Sequence, residues 1–373
     1  MANRWRLLDL GPLPAWRQMA LDAVVIRHRA QGKTPNTLRF MQFQPHAALV
    51  GYHQALSREI HQDVAHRLGI ELGRRITGGG AIYMDARQLG WEICLGQEVD
   101  ALSVDPDAVY RTLSEIVVQA LKRWDIPAQF RPVNDVEVKG RKISGTGGVQ
   151  WDSAFIYQGT LLVDFDVATM LQVLKLPIEK LTDKVIRSFQ ERVVTMAELL
   201  GQAPPMMEVK AAIIEALERV LDVELVPGVL TEEEEQDWLT SQESYRQPDW
   251  IDRRRPPHPD YRLVEVAYKA PGGLMRAALQ LDESRQRIQR AFITGDFFVE
   301  PHRAVLDLEA ELKDAPMQVG ALQQRIHRHY AAGPKYLGVT EEHWMNLLRK
   351  ALMTDPARDS SGHTGGLIAH GDA

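Results

Sequence analysis

The sequence predicts an α+β protein in which a mixed sheet with helices is followed by a smaller α+β unit. Apolar residues recur at helical spacing over residues 15–29 and 105–124. Alternating segments typical of strands lie around these helices, as at residues 37–43. A stretch rich in proline and arginine, residues 246–261, then separates them from a second series of strands and helices. These observations predict two units joined by a linker.

In the first unit, residues 1–245, the elements follow from periodicity and from residues that begin or end helices. Helices are predicted at 15–29, 57–68, 105–124 and 207–221, of which the second begins at Ser57 and ends at Gly69. The acidic run 232–235 indicates the solvated start of another helix. Strands are predicted at 37–43, 48–52, 89–95, 128–133, 136–138, 142–146 and 155–165, with a strand-turn-strand at 72–85.

The linker and the second unit are predicted in the same way. Residues 246–261 carry four prolines and three consecutive arginines, so we expect no regular structure there. The second unit, residues 262–353, is predicted to contain strands at 263–267, 273–281 and 287–294, then helices at 305–312, 317–329 and 341–352. The polar, glycine-rich residues 354–373 predict a flexible tail.

Composition excludes several classes of function. The 373 residues include 44 Lys and Arg against 50 Asp and Glu, a net charge of −6, so no overall positive field attracts nucleic acid or an anionic membrane. The single cysteine, Cys94, excludes an internal disulfide and a cysteine-rich zinc site. We find no apolar stretch of about 20 residues and no targeting segment within residues 1–29. A cytoplasmic location is therefore expected.

The most unusual motif is a triple glycine, Gly78, Gly79 and Gly80, preceded by Arg74 and Arg75. Each glycine costs about 0.5–1 kcal/mol relative to alanine in regular structure, so a requirement for bare backbone is expected. Bare amide groups form concave anion sites, and an arginine adds a bidentate partner for phosphate or carboxylate. A glycine-rich hairpin turn with solvated arginines explains this motif, taken alone, equally well.

A second motif surrounds Lys142, within residues 134–148, which are rich in glycine and small side chains. The strand is expected to turn at Gly140 and to return with Lys142 close to a ligand. A lysine there can neutralise a developing oxyanion as a compact charge. A solvated hairpin lysine is the alternative interpretation of this motif alone.

Together the two motifs resemble the lipoate-protein ligase family, within the superfamily of biotin and lipoate ligases and octanoyltransferases. The resemblance covers about residues 4–200 and is looser at 288–298. It implies a mixed-sheet catalytic domain of the biotin/lipoate-ligase type with a smaller α+β accessory domain. The matching runs are residues 38–40, 51–54, 74–85, 134–145, 159–164 and 192–195.

The resemblance implies a lipoate-protein ligase that activates lipoate or octanoate with ATP to an acyl-adenylate, accompanied by Mg²⁺. The acyl group would then pass to a lysine of an acceptor domain similar to the glycine-cleavage H protein or a dehydrogenase E2; neither nucleic acid nor a membrane is expected as a partner. Lys142 is the implied catalytic residue. The other implied site residues are Arg75, Thr77, Gly78, Gly79, Gly80, Ala81, Asn134 and Asp135 for the acyl-adenylate and phosphate, Ile82 and Tyr83 for adenine, and Gly145, Thr146, Gly159 and Thr160 for the substrate pocket.

The chain departs from the family motif at three places, which concern acyl and nucleotide specificity. Met84 stands where the family usually has histidine, and residues 86–88 stand where it has Leu-Gly-Asn. Gln158 stands where the family often has histidine.

Two alternatives to the ligase remain open. One is an ATP-independent octanoyl or lipoyl transferase between carrier proteins, which needs an accessible, activated cysteine thiolate as acyl acceptor. Cys94 lies in an alternating apolar strand, where a buried and inert thiol is expected, and residues 153–158 contain no cysteine. The other is a non-catalytic relative that binds a lipoyl domain, an interpretation against which Arg75 and Lys142 argue.

Overall fold

A computed structural model describes residues 3–96, 106–132, 134–175, 192–252, 261–301 and 303–354. All structural statements below concern these residues. The model has the predicted α+β class, with a large mixed sheet in the first unit and further sheets in the second.

An eight-stranded mixed sheet forms the centre of the first unit. Its first strand pairs in parallel with both of its neighbours, and the other ladders are antiparallel. In spatial order the strands are β11 (Val223–Pro227), β1 (Asn3–Leu13), β2 (Thr37–Phe43), β6 (Leu89–Gly96), β10 (Ala154–Leu161), β9 (Arg141–Trp151), β8 (Asp135–Val138) and β7 (Ala128–Arg131).

Helices cover both faces of this sheet. On one face α1 (Ala15–Ala30) lies against a three-stranded sheet in the order β4 (Glu71–Arg74), β3 (Ala47–Val50) and β5 (Ile82–Met84). Twelve of the 16 residues of α1 are buried, because protein surrounds this helix on several sides. On the other face two long helices pack together over a core that includes Trp91 and Ile93.

The helices of the first unit after α1 are mostly short. They are α2 (Leu56–Glu59), α3 (Gln62–Arg67), α4 (Pro106–Leu121), α5 (Val167–Val173), α6 (Met196–Leu200), α7 (Met206–Leu221), α8 (Glu232–Ser241) and α9 (Pro248–Ile251), of which α4 and α7 are the two long ones.

The second unit is an antiparallel sheet covered by three helices. Its strands lie in the order β12 (Arg262–Ala270), β13 (Gly273–Asp282), β14 (Arg287–Gly295) and β16 (Ala315–Pro316), while β15 (Val299–Glu300) pairs with β17 (Lys335–Tyr336). The helices are α10 (Ala304–Leu312), α11 (Val319–Ala331) and α12 (Glu341–Leu352). Trp344 and Phe297 are fully buried in the shared core.

The structure corrects several predicted elements. The helix predicted at 57–68 is two helices, α2 and α3, because Ile60 between them forms a bridge to Leu174, and Ala55 rather than Ser57 precedes the first. The segment 72–85 is not a hairpin, since β3 lies between β4 and β5. β1 and β11 were not predicted.

Two further corrections concern residues 232–251. Glu234 in the acidic run is buried rather than solvated, because its carboxylate forms a salt bridge with Arg6 at 2.6 Å. Part of the predicted irregular linker is helical: α9 begins at Pro248, where proline is tolerated because the first turn needs no N–H donor.

Residues 253–260 of the linker and 355–373 of the tail lie outside the described residues, so the domain limits stay a prediction. None of the described helices combines the length and apolar character needed to cross a bilayer.

Candidate active site

Lys142 lies on β9, and Asp135 of the neighbouring strand β8 holds its ammonium group. Nζ of Lys142 and Oδ1 of Asp135 are 2.6 Å apart, and 40% of the lysine side chain remains exposed. A Cβ atom at Gly145 would be 2.5 Å from Nζ of Lys142, which shows that the ammonium group lies directly over Gly145. Glycine at residue 145 is therefore what allows the ammonium group to approach the strand.

A register shift between β8 and β9 brings Lys142 to the face of Gly145. Positions three residues apart on a regular strand point to opposite faces. Here Val136 pairs with Ser144 and Glu137 with Lys142, which leaves one extra residue in β9 and changes the alternation. The periodicity of the sequence alone does not reveal this juxtaposition.

The backbone around Lys142 is held by hydrogen bonds from two other segments. Its N–H donates to the carbonyl of Arg192 at 2.8 Å, and the N–H of Val194 donates to the carbonyl of Lys142 at 2.9 Å. At the start of β8, Nδ2 of Asn134 donates to the carbonyl of Thr146 at 2.5 Å. These bonds fix β9 at the position from which the lysine projects.

The triple-glycine segment is the loop between β4 and β5, and it packs against β9. A Cβ atom at Gly147 would lie 3.6 Å from the carbonyl oxygen of Gly78, and one at Gly51 would collide with the carbonyl of Gly79. Gly79 also has a φ of 94°, which favours glycine. Bare backbone is thus required for this loop to approach the sheet.

The side chain of Arg75 forms hydrogen bonds with the triple-glycine loop that follows it in the sequence. Its Nη2 donates to the carbonyls of Gly78 at 3.1 Å and Gly80 at 2.9 Å, and Nη1 donates to the carbonyl of Leu49 at 3.3 Å. Burial lowers the pKa of Arg75 to about 10, so the guanidinium is still protonated at neutral pH. Its hydrogen bonds hold the loop in shape, while anion binding by Arg75 stays a prediction.

Arg74, which precedes the triple glycine together with Arg75 but was not among the implied site residues, has a structural role. It is 1% exposed. Its donors go to backbone carbonyls of the turn after β3 and of helix α9, namely those of Gly51, Tyr52, Gln54 and Ile251. It therefore joins the two segments that flank the loop.

A buried polar network connects the glycine loop to α1 and β6. Arg39 lies between Asp22 and Glu92 and donates to both, at 2.5 Å to Glu92. Gln158 donates to Asp22 at 2.7 Å and to Glu92 at 2.8 Å, and accepts from Thr77 at 2.9 Å. Burial, reinforced by the charge of Glu92, raises the pKa of Asp22 to about 7. In the sequence, this network is indicated by charged residues at core positions of α1, β2 and β6.

The network explains one departure from the family motif, Gln158, whereas a second departure, Met84, lies in an apolar cluster. An amide at residue 158 supplies two donors to the carboxylates and one acceptor to Thr77, which a single imidazole ring cannot match. Met84 is 2% exposed and belongs to an apolar cluster with Met19, Phe43 and Leu49.

Phe298 of the second unit lies in a concavity formed by Gly78, Gly79 and Gly147, which we call the glycine cradle. Cβ atoms at these three positions would lie 3.2–3.3 Å from ring atoms of Phe298. The ring centroid is also 5.9 Å from that of Tyr110 on α4. Residues 288–298 match the family only loosely, and their contact with the glycine cradle was not predicted, since Phe298 is distant along the chain from the motifs that it contacts.

Three further contacts join the second unit to the first beside the glycine cradle. The N–H of Gly295 donates to the carbonyl of His53 at 3.1 Å. Arg276 forms a salt bridge with Glu59 at 2.5 Å. The ring of His53 stacks on that of Phe297 with 5.8 Å between centroids.

The predicted pocket residues divide between two faces of the sheet. Thr160 lies opposite Gly145 and shares its face. Thr146 and Gly159 pair with each other and face the other side, where a Cβ atom at Gly159 would lie 2.6 Å from the ring of Trp91. The structure therefore does not bring Thr146 and Gly159 to the side of the Lys142 ammonium.

The residues expected at adenine lie at the start of β5. Ile82 is half-buried, whereas Tyr83 is buried and pairs with Ala48 of β3. Ala81, which was expected at the acyl-adenylate, precedes the strand and is half-buried. The hydroxyl of Tyr83 is hydrogen-bonded to Nδ1 of His46 at 2.8 Å. Burial raises the pKa of this phenol well above its ordinary value.

Cys94 lies in the middle of β6, on the face that packs against α1. It is 0% exposed, and its cluster includes Leu8, Val24 and Ile156. Burial and the charge of Glu92 raise the pKa of the thiol well above its ordinary value. The expectation of a buried cysteine agrees with this placement.

Metal binding receives no separate support from the geometry. Within the ranges that the structure describes, no group of three or more His, Cys, Asp or Glu side chains is arranged to hold a metal ion. The expectation of Mg²⁺ thus depends on the resemblance and on the nucleotide that the resemblance implies.

Comparison with known families identifies the first unit. The profile of the lipoyl protein ligase A/B catalytic domain matches residues 14–218, more than half of the chain. The chain belongs to the lipoyl protein ligase A/B family. The resemblance drawn from the two motifs is therefore confirmed at the level of the family.

Relatives of this lipoyl protein ligase A/B family member include several bacterial octanoyltransferases. The octanoyltransferase LipM of Symbiobacterium thermophilum is 27% identical over 262 residues, which cover 64% of this chain and 94% of the relative. The expected ATP-dependent ligase activity is contradicted, because such relatives are named for octanoyl transfer. The roles given to Ile82 and Tyr83 at adenine depended on that activity and are not carried forward.

Two solved structures are similar to this family member in fold. A bipartite lipoate protein ligase from Thermoplasma acidophilum, studied with its E2 lipoyl domain, is 27% identical with a TM-score of 0.61, covering 69% of this chain and 99% of that one. LipL1 of P. falciparum, in complex with lipoate, covers 93% of this chain and 98% of its own with a TM-score of 0.68. At 13% identity, the second likeness concerns the fold alone.

Proposed function

We propose that this chain transfers an octanoyl or lipoyl group from a carrier protein to a lysine of a lipoyl acceptor domain, without ATP. The observation that carries this proposal is the ammonium group of Lys142, held by Asp135 over the bare backbone of Gly145. The family and the relatives named for octanoyl transfer support the acyl class.

The chemistry requires positive charge beside the carbonyl that reacts. When an amine attacks an acyl group, negative charge develops on the carbonyl oxygen, and a preorganised donor stabilises it. Lys142 supplies such a donor, because its salt bridge with Asp135 and the backbone bonds of β9 fix its position. The absence of a side chain at Gly145 lets this ammonium group lie close to the strand.

The acceptor is proposed to be a small lipoyl domain. The Thermoplasma acidophilum ligase was studied with its E2 lipoyl domain, which makes an E2-type domain the first acceptor to test. A domain similar to the glycine-cleavage H protein is the second. In both, the acceptor nitrogen is the ε-amino group of an exposed lysine.

The experiment incubates the full chain with octanoyl acyl carrier protein and an apo lipoyl domain, then records the mass of the domain. We expect the domain to gain one octanoyl group without ATP. The matched control is the same domain with its acceptor lysine changed to arginine, which should gain nothing. If the domain is modified only with free octanoate, ATP and Mg²⁺, the proposed function is wrong.

A further inference from the structure

A row of residues crosses the central sheet beneath helix α1. Gly147 of β9 lies opposite Gln158 of β10, and Gln158 lies opposite Glu92 of β6. Glu92 in turn lies opposite Arg39 of β2. Residues that pair directly across a sheet share one face. The row therefore leads from a buried charge on β2 to the bare backbone of β9.

The end of this row lies beside the Lys142 ammonium. Gly145 and Gly147 are two residues apart on β9, so they share one face at a separation of roughly 6–7 Å. Nζ of Lys142 lies over Gly145, and a Cβ atom at Gly147 would lie 3.6 Å from the carbonyl oxygen of Gly78. The position of the triple-glycine loop therefore sets the width of the space beside Lys142.

Gln158 is hydrogen-bonded through both ends of its amide. Its Nε2 donates to Asp22 at 2.7 Å and to Glu92 at 2.8 Å, while its Oε1 accepts from the hydroxyl of Thr77 at 2.9 Å. Arg39 donates to the same two carboxylates, and all five side chains are buried. Gln158 therefore connects a fixed set of buried charges to the residue that begins the loop.

Thr77 passes this connection on to the glycines. It directly precedes Gly78, and its carbonyl accepts from the N–H of Tyr52 at 2.9 Å. Its hydroxyl also accepts from Nε of Arg75 at 3.3 Å, and Nη2 of Arg75 donates to the carbonyls of Gly78 and Gly80. Displacement of this hydroxyl would therefore move both the start of the loop and the guanidinium that supports it.

We infer that Gln158 is a positioning residue that holds the triple-glycine loop beside Lys142 through the hydroxyl of Thr77. This inference rests on the proposed function. The loop supplies Gly78 and Gly79 to the glycine cradle, on which we expect the octanoyl carrier to bind. Loss of the Gln158 amide should therefore weaken binding of this carrier more than it slows the chemical step at Lys142.

The first test compares Gln158→Met with Gln18→Met, each of which replaces a buried glutamine by an apolar side chain of similar size. Gln18 is the matched control because it belongs to the same network but leads away from the loop. Its Oε1 accepts from Arg39 at 2.7 Å, and its Nε2 donates to the carbonyl of Gln42 at 2.9 Å. Circular dichroism checks that both variants fold.

Steady-state kinetics use the full chain, octanoyl acyl carrier protein and an apo lipoyl domain. In Gln158→Met the KM for the octanoyl carrier should rise roughly ten-fold with kcat within about two-fold of wild type. Gln18→Met should keep the wild-type KM. A purely structural role would reduce the amount of folded enzyme and so lower kcat at unchanged KM, and this result in Gln158→Met would overturn the inference.

The second test is a double-mutant cycle with Thr77→Val, which removes one hydroxyl and leaves Asp22, Glu92 and Arg39 bonded. Because Gln158 acts through this hydroxyl, the double variant should have a KM roughly ten-fold above wild type, like each single variant. Independent effects would multiply to roughly 100-fold and contradict the inference. Thr77→Val on its own should raise KM equally, so it decides the question if Gln158→Met does not fold.

Hydrogen exchange followed by mass spectrometry tests the loop without measuring activity. The N–H of Tyr52 reports on the loop, because it donates to the carbonyl of Thr77. Peptides that contain Tyr52 should exchange faster in Gln158→Met and in Thr77→Val than in wild type or Gln18→Met. Equal exchange in all four proteins would overturn the inference.

The outcomes separate the inference from the function on which it rests. If the wild-type chain makes no octanoylated domain from the carrier thioester, the proposed function and the role of Gln158 in carrier binding are both wrong. If it makes the product and Gln158→Met keeps the wild-type KM, the function stands and only the positioning role fails.

Discussion

Phe298 packs directly on the backbone of Gly79, and a Cβ atom at Gly79 would lie 3.2 Å from Cζ of the phenyl ring. One residue belongs to the accessory unit and the other to the triple-glycine loop. A ligand and the ring cannot occupy the same bare surface of the glycine cradle. The second unit therefore contributes directly to the space available beside Lys142.

Phe298→Ala should open this space. Because the ring competes for the glycine cradle, we expect the KM for octanoyl acyl carrier protein to fall several-fold with little change in kcat. The free energy of unfolding should fall by roughly 1–2 kcal/mol, since the side chain is only half-buried. Steady-state kinetics and urea unfolding measure the two effects. Phe292→Ala, at a half-buried position of β14 outside the glycine cradle, is the control and should leave KM unchanged.

Lys142→Ala should remove most of the activity and leave the fold intact. Loss of one oxyanion donor lowers kcat by roughly 10²–10³-fold. The pair with Asp135 is partly exposed, so the free energy of unfolding should change by less than about 1 kcal/mol. Octanoylation of the acceptor domain, followed by mass, measures the loss. Lys122→Ala, at an exposed position, is the control; near-wild-type activity in Lys142→Ala would refute the assigned role.

Gly145→Ala should impair transfer without unfolding the protein. The new methyl group would meet Nζ of Lys142 at 2.5 Å, and the flexible lysine would move away from the strand. Displacement of a reacting group by about 1 Å can cost roughly 10²-fold in rate. Gly320→Ala on α11 is the matched control, since no atom lies within 4 Å of its new methyl group. Equal activities of the two variants would contradict the proposed contact.

The pH dependence of stability should reflect Asp22. Its pKa is raised from 3.8 in the unfolded chain to about 7 in the fold, so the native state binds this proton more tightly. The contribution is fully present below pH 3.8, and the free energy of unfolding falls as pH rises towards 7. Urea unfolding of wild type and Asp22→Asn between about pH 5 and 8 measures it, and the variant should show a shallower decline. Parallel curves would show that Asp22 does not titrate in this range.

Periodicity predicts most elements of this fold, because a helix or strand with one buried face carries its own signal. The predicted strand at 37–43 and helix at 341–352 coincide with β2 and α12. β1 is harder to predict because Gly11 and Pro12 interrupt its alternation, and its partner β11 is short and distant in the chain. Such a strand is defined by its tertiary neighbours.

The candidate site is predictable in composition but not in geometry. The motifs indicate Lys142 and the glycines, since a triple glycine and a lysine within a segment rich in small residues are unusual. The face of Lys142 depends on a register shift in β9, and the place of Phe298 depends on contact between the two units. The register shift depends on the pairing of β9 with β8, and Phe298 belongs to a different unit from the glycines. Local sequence patterns therefore reveal neither feature.

The parallel pairing of β1 with both β2 and β11 has a consequence for synthesis on the ribosome. The edge of β1 that pairs with β11 has no such partner until residues 223–227 leave the exit tunnel, long after Lys142 has emerged. Until then this unpaired strand edge is prone to aggregation. A ribosome stalled before residue 223 should present this edge to chaperones.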